Sequence, residues 1–295
     1  MKIARILAAA ALGGCALSAS ALDWSDTSLF VNHGPNYKFP GTRFDLGGDG
    51  RNYREQDVRV TTYGLQHVSG YRYGTNFANI EWIRSNGKDP ADGVAGAQGA
   101  DEIFGVFRHT LSLSAVAGKP LGGGFIRDYG LVTGFNAGTK NNAIHARPFD
   151  LVAGPSVSFN VPGFWDVGLY AYHERNQNRF NSPIRQRFDT TWQFASAWGI
   201  DIGPGKFKGF VSVTGPKGND TAGVGTRTET LLEAFYMFDL GQLAGGRKGQ
   251  FYAGPGLQYW DHKYGTYDGA ASASIPGFIV SKTTRTPLLR VEAHF

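Results

Sequence analysis

TPLLRVEAHF, residues 286–295, alternates from Leu289 onward: Leu289, Val291, Ala293 and Phe295 are apolar, and Arg290, Glu292 and His294 between them are ionisable. A period of two makes a strand with two unlike faces. An edge strand of a soluble sheet has such faces. So does the closing strand of a membrane barrel, which turns one face to lipid and the other to water. The rest of the chain decides between them.

The N-terminal stretch MKIARILAAAALGGCALSASALDW combines Lys2 and Arg5, an apolar run from Ile6 to Leu12, and Ala19-Ser20-Ala21, an A-x-A cleavage site. It reads as a secretory signal peptide over 1–21, leaving 22–295 as a single barrel domain. Leu12-Gly13-Gly14-Cys15 offers an alternative, a lipoprotein-type site that would leave Cys15 lipidated; Gly14 in the third position and the better site downstream weigh against it. Cys15 is the only cysteine, so a chain cut after Ala21 has no disulfide. A barrel closes its own edges and needs none. Lys and Arg number 29 against 24 Asp and Glu, too mild an excess to argue for nucleic acid. After the leader no apolar run approaches the roughly 18–20 residues that a membrane helix needs. The 42 glycines and 14% aromatic residues suit tight turns and interfacial aromatic girdles.

Alternation recurs along the whole chain and predicts twelve strands, near 28–37, 56–68, 74–86, 103–118, 126–140, 149–161, 164–177, 190–203, 207–218, 229–241, 249–263 and 286–295. On these boundaries the odd connections run about 8–22 residues and the even ones about 2–7, as in barrels with long loops on one side of the membrane and short turns on the other. A Greek-key sandwich has no reason to alternate loop lengths this way. The fold expected is therefore an all-β transmembrane antiparallel barrel of about twelve strands. Lipid-facing sets are expected in Trp165, Val167, Leu169 and Ala171; in Leu232, Ala234, Tyr236, Phe238 and Leu240; and in Phe251, Ala253, Leu257 and Tyr259. Gln258, Trp260 and His262 share the opposite face of the last of these strands. His109, on an apolar face, and Phe210, on a polar one, break the pattern.

WSDTSL (24–29), KFPG (38–41), HVSGYRYGTNF (67–77), SNGKDPA (85–91) and IFGVFRHTLSLS (103–114) resemble the Tsx-like family of nucleoside-specific outer-membrane channels, the group that includes OmpK. The resemblance covers roughly residues 24–115; beyond it only the strand pattern and the terminal Phe agree. It implies a twelve-stranded monomeric barrel in the bacterial outer membrane whose narrow lumen passes nucleosides by stacking and hydrogen bonding; the even strand count leaves both termini periplasmic. It further implies that Phe295 is the assembly signal read by the barrel-insertion machinery.

Strand parity places Phe77, Glu81, Arg108, Tyr170, Tyr172 and Glu174 on the lumen face as candidate solute contacts, together with Glu233, Phe235, Trp260, Arg290 and Glu292. Arg59, Tyr63, Asp128 and Lys208 are assigned to the same face. Rings of one sign would suit phosphate or cations; this mixed set suits a neutral solute with a flat face and several donors and acceptors. The alternative is a structural or surface-receptor barrel whose lumen is filled by paired charges. A third reading rests on His67 and Ser69, two apart on one face like the base and nucleophile of an outer-membrane lipid hydrolase. Their place near a short connection is the wrong end for that chemistry, and no enzyme activity is expected. The acidic, glycine-rich FDLGGDG (44–50) could hold calcium in a loop, though a solvated loop is the better reading. The histidines lack metal-ligand spacing, and neither a metal nor a cofactor is expected.

Overall fold

The computed structural model describes residues 22–39, 41–42, 57–89, 99–141, 145–178, 185–220, 223–266, 278–279 and 283–295. The leader expected over 1–21 and the loop expected over 44–50 lie outside these residues. Twelve long strands follow one another: β1 (Leu22–Tyr37), β2 (Val58–Tyr71), β3 (Gly74–Ser85), β4 (Asp101–Ser112), β5 (Ile126–Lys140), β6 (Arg147–Phe159), β7 (Gly163–Gln177), β8 (Thr191–Ile202), β9 (Gly205–Thr214), β10 (Glu229–Asp239), β11 (Phe251–Asp261) and β12 (Thr283–His294). Each pairs antiparallel with its sequence neighbours, and β12 pairs back onto β1 with Val31 opposite Val291. The sheet is closed, so every strand edge is satisfied within the wall. All twelve expected strands are present, and the 286–295 stretch is the closing one.

The departures lie at strand ends and have local causes. The fourth strand, expected to run to 118, stops at Ser112, where a short helix α1 (Leu113–Ala117) begins. Ser112 and Ser114 both donate to the Asp128 carboxylate, and Gly118 ends the helix in the left-handed region at φ 65°. Asp128 thus ties a turn together. The ninth strand ends at Thr214 rather than 218, because Gly215 and Pro216 follow it and Pro has no N–H for the ladder. Leu240 leaves its strand for the helical turn α2 (Leu240–Leu243), capped by Asp239. His262 leaves β11 in the left-handed region (φ 46°) and opens a 3-10 turn, Lys263–Gly265, so it does not continue the inner face.

Surface chemistry is inverted relative to a soluble protein. Outward positions include Leu29, Leu65, Leu131, Leu169, Leu257 and Leu289, each exposed by at least 42%. Leaving a Leu in water forfeits about 1.5–3 kcal/mol, so this face is built for an apolar medium. No helix among the described residues is long and apolar enough to cross a membrane; the strands do the crossing. Inside, one half of the barrel carries its own core, with Tyr37, Val58, Val60, Phe235, Met237 and Leu288 packed together from β1, β2, β10 and β12. Interior glycines make room for rings. A Cβ on Gly64 would lie 2.0 Å from Phe30, and one on Gly256 would lie 2.2 Å from Phe235.

Candidate functional site

Register settles which side chains share the lumen. Val68 faces Phe77, Phe77 faces Arg108, and Gly64, Glu81 and Phe104 form a parallel row. Asp150 faces Glu174, Val152 faces Tyr172, and Gln193 faces Tyr170. Lys208 faces Phe235, Phe210 faces Glu233, Glu233 faces Gln258, and Leu231 faces Trp260. Gly254 faces Arg290 and Tyr252 faces Glu292. All eleven candidate contacts therefore point inward. Arg59 and Tyr63 do not. Thr62, their neighbour in parity terms, is the inward partner of Asn32, so odd positions on β2 face outward, and Tyr63 stacks against the outward Trp82 with ring centroids 5.3 Å apart.

The inward side chains fall into two linked groups. At the end that carries both strand termini, Glu292 is the hub. Lys208 donates to both of its oxygens at 3.0 Å, Arg290 Nε donates to Oε2 at 2.9 Å, and His294 joins Oε1 to Asp26 at 3.2 and 2.8 Å. The Arg290 guanidinium lies 3.7 Å from the Phe30 ring centroid and 5.3 Å from that of Phe235. Phe235 is only 2% exposed. Its faces are covered, so it supports Arg290 and offers no solute a stacking surface in this conformation. Three further inward carboxylates are held by amides: Asn79 donates to Glu81, Asn136 to Asp150 and Gln258 to Glu233, at 2.9, 3.2 and 3.1 Å. Each of those amides keeps an oxygen with no protein donor.

The other group gathers at the long-loop end, where loop residues meet the strand ends. Lys217, just past β9, is buried against Glu174, which also accepts from the Tyr172 hydroxyl at 3.1 Å. Burial opposes the charge on Lys217, but the Glu174 and Glu229 carboxylates outweigh it and hold the amine above its usual range. Lys263 is 2% exposed and sits in a cage of rings, with Phe39 at 3.6 Å, Trp260 at 4.2 Å and Tyr264 at 5.5 Å. Trp260 and the Tyr264 N–H both donate to Glu229. Lys140, paired with Asp89 at 2.8 Å, lies 4.6 Å from the same Phe39 ring. Burial, first, and Lys140 beside it push the Lys263 amine down to about 7, against the pull of Glu102, Asp89 and Glu229.

Phe210 was visible in the sequence only as an aromatic on a polar face. It is 39% exposed on the inward side of β9, beside Glu233. That mismatch was the available signal, and the candidate contacts omitted it. His109, the opposite exception, faces outward and is satisfied there by Asn76 at 3.0 Å and the Tyr71 hydroxyl at 3.4 Å. His67 lies 2.9 Å from the Thr27 hydroxyl, and Ser69 shares its face near the Tyr71–Gly74 turn. Phe295 is 73% exposed at an outward position, its N–H bonded to the Thr27 carbonyl. Among the described residues no cluster of three His, Cys, Asp or Glu is placed to hold a metal.

An apolar outer wall around a charged interior leaves one architecture. The chain is an outer-membrane-type β-barrel. No protein-family model matches it, and no curated protein does. Among solved structures, the barrel is similar to the COG4313 outer membrane channel from Pseudomonas putida F1, at 12% identity and a TM-score of 0.49 over 93% of this chain and 96% of that one. It is also similar to the translocator domain of autotransporter NalP from Neisseria meningitidis, at 10% identity and a TM-score of 0.43 over 100% of this chain and 95% of that one. Outer membrane protein opdK from Pseudomonas aeruginosa follows at 8% identity and a TM-score of 0.25, over 94% of this chain and 100% of that one. These likenesses are too distant to carry a substrate across.

Proposed function

We propose that the barrel is a passive channel of the bacterial outer membrane for small, donor-rich solutes with a flat face, nucleosides among them, and that it works as a monomer with both termini periplasmic. The observation that carries this reading is the exposed ring of Phe210 cross-strand from Glu233. An aromatic face beside a carboxylate acceptor is the pairing that a base and its ribose would use. Stacking on such a ring is worth about 1–3 kcal/mol, enough to enrich a solute and still release it. Inward carboxylates, among them Glu81, Glu102, Asp150, Glu174, Glu229, Glu233 and Glu292, outnumber Arg108, Lys140, Lys206, Lys208 and Arg290 on the inward face of the wall, which disfavours anionic solutes. The Tsx-like words of the N-terminal half point the same way.

The buried Lys217 and Lys263 at the long-loop end give a specific reason to hold a second reading, a receptor barrel with a plugged lumen. The Lys217 carbonyl is tied to the Asp189 N–H at 3.0 Å, however, whereas the Lys263 ammonium is held by ring contacts, and a stopper of that kind can be withdrawn. Single-channel conductance of the purified barrel in planar bilayers, with and without adenosine, separates the two. The channel reading expects block by adenosine that weakens about 5- to 150-fold in Phe210→Ala, the equivalent of the stacking energy. Conducting barrels that adenosine never blocks would remove the nucleoside, and barrels that never conduct would favour the plug.

A further inference from the structure

On the outer wall, three rings climb toward the long-loop end. Phe107 on β4 and Phe135 on β5 have centroids 5.6 Å apart, and Phe149 on β6 stacks on Phe135 at 6.2 Å. The Arg175 guanidinium caps this ladder 5.0 Å from the Phe149 ring. Beside the rings runs a groove of roughly 490 Å³ lined by Leu151, Ala153, Ala171 and Thr133, with His173 and Thr190 at its upper end. Small side chains on β6 and β7 set its floor. Immediately above it, Arg187 pairs directly across from Arg175, and Arg147 lies on the same outward face opposite Gln177. Two like charges directly opposite each other on paired strands destabilise the pairing. None of the three arginines has an ion pair with a described acid, and Asp189, two residues from Arg187, lies against Gly218.

We propose that this groove and the Arg147, Arg175 and Arg187 cluster form a binding site for a phosphorylated lipid of the leaflet on the long-loop side. The order of chemistry along the wall is that of such a lipid: cations at headgroup height, an apolar trough below. Guanidinium groups bind phosphate bidentately, and a doubly charged phosphate between Arg175 and Arg187 turns their repulsion into attraction. The acyl chain fills the trough against Leu151, Ala153 and Ala171, where aromatic rings form one bank. This rests on the barrel spanning a membrane, and the test below keeps the two claims apart.

The test is native mass spectrometry of the purified barrel in detergent, titrated with bisphosphorylated lipid A, with the same lipid stripped of phosphate, and with inorganic phosphate as competitor. One bisphosphorylated lipid is expected to stay bound, with an apparent affinity at least tenfold above that of the dephosphorylated form. Arg175→Gln with Arg187→Gln should lower it at least tenfold, and Arg187→Gln alone, on the two-residue strand beside the barrel, should lower it severalfold without touching the main ladder. Leu151→Trp, which fills the groove, should weaken lipid binding as well. Arg285→Gln, an outward arginine over Tyr259, should change nothing. Equal retention by wild type and the double variant overturns the site, as does equal binding of the dephosphorylated lipid or full displacement by inorganic phosphate. Heat-dependent migration of the same samples reports whether the barrel itself is intact, so loss of the fold is read separately from loss of the site.

Discussion

Lys263→Met is the substitution that tests the stopper. Methionine keeps most of the side chain's length and its apolar character beside the rings, and removes the charge that Nζ places against Phe39 and Trp260. In the closed mouth the amine is pushed down to about 7, mainly by burial and then by Lys140; in an opened, hydrated loop it returns to the lysine value near 10.4. The closed state therefore binds fewer protons than the open one between those values, and closure is strengthened as pH rises through that window. Falling from pH 9 to pH 7 should favour opening by up to about 2.7 kcal/mol, at about 1.36 kcal/mol per pH unit. Cation–π contacts to Phe39 and Trp260, worth about 0.5–2 kcal/mol each, favour the charged form in the cage and bring the expected shift to about 1–2 kcal/mol. His262 and Tyr264 flank the lysine at φ 46° and 64°, strain of about 1–3 kcal/mol each that opening releases. The assay is single-channel open probability at pH 7 and 9. Wild type should open at least severalfold more often at pH 7, and Lys263→Met should lose most of that dependence. If the variant keeps the full pH response, the titrating group lies elsewhere and the cage is not the stopper.

Glu292→Gln should destabilise the barrel by about 3–5 kcal/mol, because it strands Lys208 and Arg290 as neighbouring buried cations; an unchanged denaturant midpoint in detergent would mean the hub contributes nothing. Unboiled protein should migrate differently from boiled protein, since the closed sheet resists detergent until heated. Identical migration of a strand-rich preparation would argue against closure. Deleting Phe295, which projects outward at 73% exposure, should reduce the amount of barrel assembled in cells while leaving conductance per inserted molecule unchanged, and normal assembly of the deletion would refute its role as a signal.

Period-two alternation carried most of the architecture, for a physical reason. A barrel wall has lipid on one side and polar lumen on the other at every strand, so parity is enforced twelve times over: on β7, Trp165, Val167, Leu169 and Ala171 face outward against Asp166, Tyr170 and Tyr172. Where the two media end, so does the signal. Leu113, Ala115 and Ala117 continue the alternation of β4 past Ser112, yet the chain turns into a helix because Asp128, on another strand, collects both serine hydroxyls. Nothing within residues 103–118 encodes that partner. On β2 the assignment failed differently: Arg59 and Tyr63 are polar enough to suggest the lumen, but an amphipathic ring is also at home where an outer wall meets headgroups, and Tyr63 pairs with Trp82 there.

Orientation was legible; availability was not. Parity places Phe235 and Phe210 on inward faces alike, yet one is buried beneath Arg290 and the other is open. The difference arises from which strands face each other across the lumen, a relation set by shear and side-chain volume rather than by local pattern. Strands β10, β12, β1 and β2 fill their half with Phe235, Met237, Leu288, Tyr37, Val58 and Val60, which leaves the space to the side where β9 presents Phe210. A solute path on that side meets the exposed ring and Glu233 in the wall and then Lys217 and Lys263 at the mouth. On the channel reading, selectivity and gating fall to different parts of the chain. Substitutions on β9 and β10 should alter which solute blocks the pore, and those in the turns after β9 and β11 should alter how often it opens. A Phe210→Ala barrel that changed its open probability while keeping adenosine block would break that division.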